Sequence, residues 1–183
     1  MKGVVFTLLN ELVEEKFGMD AWEAALDGSD PPLDGVYTAA GTYPDKELFA
    51  LVGQLSNLSQ VPVNTLVHTF GQFMLGKLAL LYPGFFSSAS TAKEFVRSVD
   101  NVIHVEVKKL YPQAELPSIT YEDPGPDALV MIYQSPRKLC YLAEGLIDGT
   151  AKYYGTEIQQ QQTRCVHNGD DHCRFELQFG DSI

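Results

Sequence analysis

Three sets of residues carry chemistry beyond what a core or a solvated face requires. His104 sits in Val102-Ile103-His104-Val105, inside an apolar helical repeat. A helix would hold its imidazole beside that stripe, where the ring can hydrogen-bond locally or offer a nitrogen to iron or another borderline metal. Tyr133, Ser135 and Arg137 alternate along Tyr133-Gln134-Ser135-Pro136-Arg137. An extended chain has a period of two, so a phenol, a hydroxyl and a guanidinium share one face. All three donate hydrogen bonds, and the Arg fork suits a carboxylate or a phosphate. An ordinary strand end with one surface ion pair would use the same residues. The third set is Cys140, Cys165, His167, His172 and Cys173. Cys165-Val166-His167 and His172-Cys173 flank one turn. Thiolates and imidazoles can gather there as tetrahedral zinc demands, or remain reduced thiols beside solvated histidines. His68 has no such company.

Positioning these groups falls to elements that the sequence marks clearly. Val4, Val5, Leu8, Leu9, Leu12 and Val13 recur at helical spacing up to Gly18, a C-terminal cap. A short helix is predicted over 21–26, before Gly28-Ser29-Asp30-Pro31-Pro32 breaks the chain. Asp45 opens a helix through Leu48, Leu51, Val52 and Leu55, and Pro62 opens another carrying Leu66, Val67, Phe70 and Phe73. Tyr82-Pro83-Gly84 closes that region. The longest periodic stretch, 91–110, predicts one helix burying Phe95, Val96, Val99, Ile103, Val107 and Leu110, with His104 on its flank. Pro112 and Pro117 terminate it. Strands are expected over 119–121 and 129–133 around Asp123-Pro124-Gly125-Pro126, and Pro136 marks a strand exit. A helix from 140 to about 154 and two strands, 157–166 and 173–179, complete the chain. Helices first and paired strands later argue for an α+β fold with an antiparallel sheet.

Composition narrows the function classes. The chain has 183 residues, 45% apolar and 20% charged, enough for one domain with a real core. Thirteen Lys and Arg against 24 Asp and Glu leave a net charge of −11, which repels phosphate backbones and anionic headgroups. No nucleic acid and no membrane partner are expected. Three cysteines make no disulfide framework, and neither a signal peptide nor an apolar run of about 18 residues is present, so the expected place is the cytoplasm. No glycine-rich phosphate loop, GxSxG elbow or HExxH occurs. A Cys165–His167 pair lacks a third group to orient it, and no enzyme is expected.

His104 followed by Tyr-x-Ser-x-Arg at 133–137 resembles the H-NOX family, the haem-nitric oxide/oxygen binding sensors related to the haem domain of soluble guanylate cyclase. The resemblance runs from Met1-Lys2-Gly3 through Lys16-Phe17-Gly18 to Gly145-Leu146-Ile147-Asp148-Gly149. It implies a single haem-binding domain over 1–183. A helical distal lobe, about 1–65, would pack on a proximal lobe, 66–183, with a long helix and a four-stranded antiparallel sheet. Haem b would lie between them. His104 would be the iron ligand, and Tyr133, Ser135 and Arg137 would hold the propionates. Pro117 would pack on the porphyrin, Val5 and Leu142 would line the pocket, and Asp45 would pair with Arg137 across the lobes.

Oxygen-binding members carry a tyrosine five residues after the motif arginine; Leu142 stands there. The resemblance therefore implies a nitric oxide sensor that binds NO and CO and excludes O2. Its partner would be a separate signalling protein, a histidine kinase or a diguanylate cyclase or phosphodiesterase. Some members also hold zinc through three cysteines and a histidine, which would match Cys140, Cys165 and Cys173. The family histidine position is Gln162 here, so His167 is expected as the fourth ligand, with His172 as the alternative. A zinc or thiol redox sensor is the competing reading.

Overall fold

The computed structural model describes the backbone of residues 1–182 and the side chains among them except those at 33, 181 and 182. Four helices build the first half: α1 (Gly3–Phe17), α2 (Met19–Ser29), α3 (Asp45–Ser59) and α4 (Val63–Leu81). Gly18 ends α1 at φ 87°, a conformation that a side chain would strain, and its N–H caps the Glu14 carbonyl at 3.2 Å. The short helix expected over 21–26 is longer at both ends. Phe6, Leu9, Leu12 and Val13 of α1 meet Trp22, Leu51, Val52, Leu55, Phe70 and Met74 in a helical core. Each fully buried side chain of this size contributes about 1.5–3 kcal/mol.

The stretch expected as one long helix is three pieces. α5 (Pro83–Ser87) precedes it. α6 (Ala92–Ser98) starts on Thr91, whose hydroxyl accepts the Glu94 N–H at 3.2 Å while the Glu94 carboxylate accepts the Ser90 N–H at 2.8 Å. A π-helical turn follows, Val99–Ile103, and then α7, His104–Leu110. The wide turn inserts a residue and rotates everything after it, so the apolar stripe does not continue. Leu110, expected in the core, is 69% exposed. Apolar spacing registers a helical period and cannot distinguish an α turn from a single π turn.

The expected antiparallel sheet is present. β1 (Ser118–Gly125), β2 (Ala128–Gln134), β3 (Thr156–Arg164) and β4 (Cys173–Ser182) lie in the order β1-β2-β4-β3, every pair antiparallel. β1 runs into the expected turn at 123–126 through an irregularity between Glu122 and Gly125. α8 (Cys140–Tyr154) covers one face, where Cys140, Ala143 and Ile147 meet Leu129, Met131, Phe175 and Leu177. α4 and α8 join the two cores by close backbone approach. A Cβ on Gly71 would lie 2.5 Å from the Leu142 carbonyl oxygen, and one on Gly145 would run into the His68 carbonyl. Among the described residues, no helix is long and apolar enough to cross a membrane.

Candidate functional site

His104 is the first residue of α7, directly after the π turn. Its side chain is 18% exposed, and Nδ1 lies 3.3 Å from Asp100 Oδ1. That carboxylate oxygen also accepts the Ile119 N–H at 3.2 Å, tying the π turn to β1. A carboxylate only accepts, so Nδ1 carries the proton and Nε2 keeps a free lone pair. Burial pushes the imidazole below its ordinary pKa, with the Asp100 hydrogen bond and charge pulling the other way. The ring is thus a neutral donor held by a second-layer acid.

An open cleft of about 540 Å³ lies over it, walled by His104, Val105, Leu116 and Pro117, with Asp100, Lys108, Lys109 and Ser118 completing the lining. His104 and Pro117 are therefore brought together. Val5 and Leu142 are not part of this lining; both are half-buried against the helical core. Tyr141, beside Leu142, packs with the sheet core instead and stacks on His167 at 5.4 Å.

The Tyr133-x-Ser135-x-Arg137 stretch adjoins the cleft through β1, because Tyr133 pairs with Ile119. β2 ends at Gln134, so the single extended face expected for the three residues stops at Tyr133. Ser135 begins a tight turn: its hydroxyl accepts the Arg137 N–H at 3.2 Å and its carbonyl accepts the Lys138 N–H at 3.1 Å. Pro136 forces this exit, since it cannot donate to a ladder. Tyr133 is 6% exposed, and burial pushes its phenol up while Ser135 opposes.

Arg137 is 10% exposed and donates from all three of its nitrogens. Nε donates to Asp45 Oδ2 at 2.6 Å, Nη1 to the Glu115 carbonyl at 2.6 Å and Nη2 to Glu115 Oε2 at 2.9 Å. Glu115 is 75% exposed, so its carboxylate is a loosely held occupant of a carboxylate-binding fork. Asp45 also accepts from the Met1 ammonium at 2.7 Å, which joins α1, α3 and the turn after β2 at one node. Burial alone would raise the Asp45 pKa, but the ammonium and guanidinium hold it below the usual carboxylate range.

That depression fixes a pH dependence. A carboxylate with a lowered folded pKa stabilises the protein above its unfolded value, about 3.9, and the contribution disappears as pH falls through the folded pKa. Asp45→Asn is expected to unfold at lower denaturant at pH 7, by about 1 kcal/mol. The gap to the wild type should close in acid, and a gap independent of pH would remove the ion-pair account.

Cys140, Cys165 and Cys173 converge, with their sulfurs within 4.8 Å of one another and all three residues buried. Cys140 and Cys165 Sγ are 3.9 Å apart. Burial pushes the Cys140 thiol up to about 12, with the neighbouring thiols adding to it. His167 is not brought to this cluster: Nε2 lies 2.9 Å from the Lys138 carbonyl. His172 pairs with Asp171 at 2.6 Å. The short Val166–Asn168 helical turn carries His167 outward. The side chain that does lie there is Gln162, beside Cys140, its Nε2 buried without a partner. His68 bonds Asp148 at 2.9 Å, a local role.

Sequence reasoning missed Asp100 and Glu115. Asp100 precedes His104 by one helical turn, a legible acid–imidazole spacing; Glu115 lies in a loop and left no signal.

The comparisons agree with this architecture. A family model described as Haem-NO-binding matches residues 2–162. The crystal structure of an H-NOX protein from S. oneidensis in the Fe(II)NO state superposes with a TM-score of 0.93 at 33% identity, covering 99% of this chain and 100% of that one. The unliganded Fe(II) H-NOX protein from K. algicida gives 0.89 at 31% identity, covering 100% and 98%. Soluble guanylate cyclase 89Db of Drosophila melanogaster is 24% identical over 170 residues, which is 86% of this chain and 24% of that protein. The chain thus spans about a quarter of the curated relatives it matches. With a family match over most of its length and the same fold throughout, the chain belongs to the Haem-NO-binding, or H-NOX, family.

Proposed function

We propose that this chain is a haem-based nitric oxide sensor domain that binds NO and CO and excludes O2. The observation that carries the reading is His104: Nδ1 is pinned by Asp100, so Nε2 is a free neutral donor on a cleft shared with Pro117. In this reading His104 ligates the iron of haem b, and Arg137, Ser135 and Tyr133 hold the propionates. The donor set fits, because Arg137 already binds two carboxylates, one of them exposed and replaceable. The haem iron supplies the position where the gas binds. Pro117 and Leu116 wall the cleft, while Val5 and Leu142 face the gas with apolar side chains. The domain covers 1–183, with distal and proximal lobes meeting along α4, whose Phe70 and Met74 belong to the helical core.

His104 can report its own position. It opens α7 immediately after the π turn, so a displaced ring moves α7, and through Asp100 it pulls on Ile119 of β1. A partner that distinguishes the two positions reads the gas by linkage. Such a partner, a histidine kinase or a diguanylate cyclase or phosphodiesterase in the cytoplasm, would be a separate protein.

The test is the visible spectrum of the purified, reduced protein under nitrogen, then with air and with NO. A Soret band that moves with NO and not with air is expected. Movement with air would overturn the selectivity, and no Soret band after expression with ample haem would overturn the haem reading.

The thiol cluster supports an accompanying structural zinc. Two sulfurs about 2.3 Å from a tetrahedral zinc stand about 3.8 Å apart, close to the Cys140–Cys165 separation of 3.9 Å. Gln162, in place of His167, borders the fourth position. Elemental analysis of the purified chain is expected to give near-equimolar zinc; zinc-free protein of unchanged stability would leave three buried thiols.

A further inference from the structure

The two acids on Arg137 hold it in different ways. Asp45 is 29% exposed, takes Nε at 2.6 Å and also accepts from the Met1 ammonium. Glu115 reaches the guanidinium twice, through its backbone carbonyl on Nη1 at 2.6 Å and its carboxylate on Nη2 at 2.9 Å. The main-chain contact anchors residue 115 directly before Leu116 and Pro117, which wall the cleft. The carboxylate is 75% exposed, and Arg137 is its one partner among the described residues. Rotation about its own side-chain bonds releases it while Asp45 and the carbonyl keep Arg137 in place.

Nη2 is also a donor that the haem reading requires. A glutamate side chain and a haem propionate end in the same group, a carboxylate on two methylenes. The two therefore suit one donor equally well. Nη2 has a second N–H, but two carboxylates on one nitrogen bring like charges together, so Glu115 opposes a propionate even there.

We propose that Glu115 is an internal counterpart of a haem propionate, which competes for Arg137 Nη2 and so sets how firmly the chain retains its cofactor. The proposal rests on the haem reading above. A partly exposed ion pair is worth a small factor, about two- to fivefold in an equilibrium constant.

The test uses the full haem-loaded chain and reads the partition of haem against a competing apoglobin. Glu115→Gln keeps the shape and removes the charge, and is expected to raise haem affinity about two- to fivefold. Glu115→Ala, which removes the competitor altogether, should raise it at least as much. Glu11→Gln, at an acid that pairs with Lys77 instead, removes the same charge and should alter nothing. An iron porphyrin with both propionates methyl-esterified should not distinguish the wild type from Glu115→Gln, since an ester brings no charge to Arg137. Equal or lower haem affinity in the Glu115 variants would overturn the proposal, as would an equal gain with the esterified porphyrin or in Glu11→Gln. If none of the proteins retains haem, the haem reading fails and takes this proposal with it; haem retained at unaltered affinity ends this proposal alone.

Discussion

Replacing His104 with glycine is expected to remove the native absorption spectrum of the reduced protein, and added imidazole is expected to restore it. Few constraints hold the ring. Its Nδ1 has one partner, Asp100, and the surrounding cleft is open. Truncation therefore removes a donor and leaves a hole where free imidazole fits against the same carboxylate. The fold should survive: His104 is half-buried, and neither the helical core nor the sheet core includes it. A denaturation midpoint close to the wild type separates ligand loss from unfolding. The rescued protein has imidazole with no covalent link to α7, so it should recover the spectrum without recovering the response of a partner. An unaltered spectrum with an unaltered NO shift would end the assignment of His104.

The reach of sequence reading can be judged from particular residues. Patterning exposed the elements well, because α1 and α3 each bury one stripe and β4 buries alternate residues, Cys173, Phe175 and Leu177. Asp45 and Arg137, 92 residues apart in the chain, pair at 2.6 Å. The π turn at Val99–Ile103 was invisible, since one extra residue leaves the local apolar spacing intact and shows only as exposed Val105 and Leu110. The turn at Ser135 was half legible: Pro136 announced an exit, but the Arg137 N–H returning to Ser135 depends on three-dimensional closure. The three cysteines were legible as a set, and so was Gln162 at the position where the resemblance puts a histidine. His167 was expected to substitute, whereas the strand register sets Gln162 opposite Phe175, two residues beyond Cys173, and the following turn carries His167 away.

Leu142→Tyr is expected to make the domain respond to air. Leu142 lies on the side of α8 that meets the helical core, and Tyr141 on the side that meets the sheet, so the existing phenol cannot serve in its place. Of the phenols in the helical core, Tyr37 donates to Glu47 at 3.1 Å, while Tyr43 accepts the Thr38 N–H at 2.8 Å and lies 3.4 Å from the Thr38 hydroxyl. Under the proposed function, a pocket faced by Leu142 would lack the donor that O2 gains from and NO does not need. Supplying one to a ligand atom with partial negative charge contributes about 1.5–3 kcal/mol, roughly a 10- to 150-fold gain in affinity. Overpacking opposes it, since extra volume in a core costs about 1–3 kcal/mol, but Leu142 is only half-buried. Leu142→Phe isolates the hydroxyl, because it adds the ring without the donor. The expected pattern is a Soret shift in air for the tyrosine variant alone, with NO binding retained in all three proteins. A shift in the phenylalanine variant would assign the selectivity to pocket volume, and no shift in either would mean that Leu142 does not face the gas.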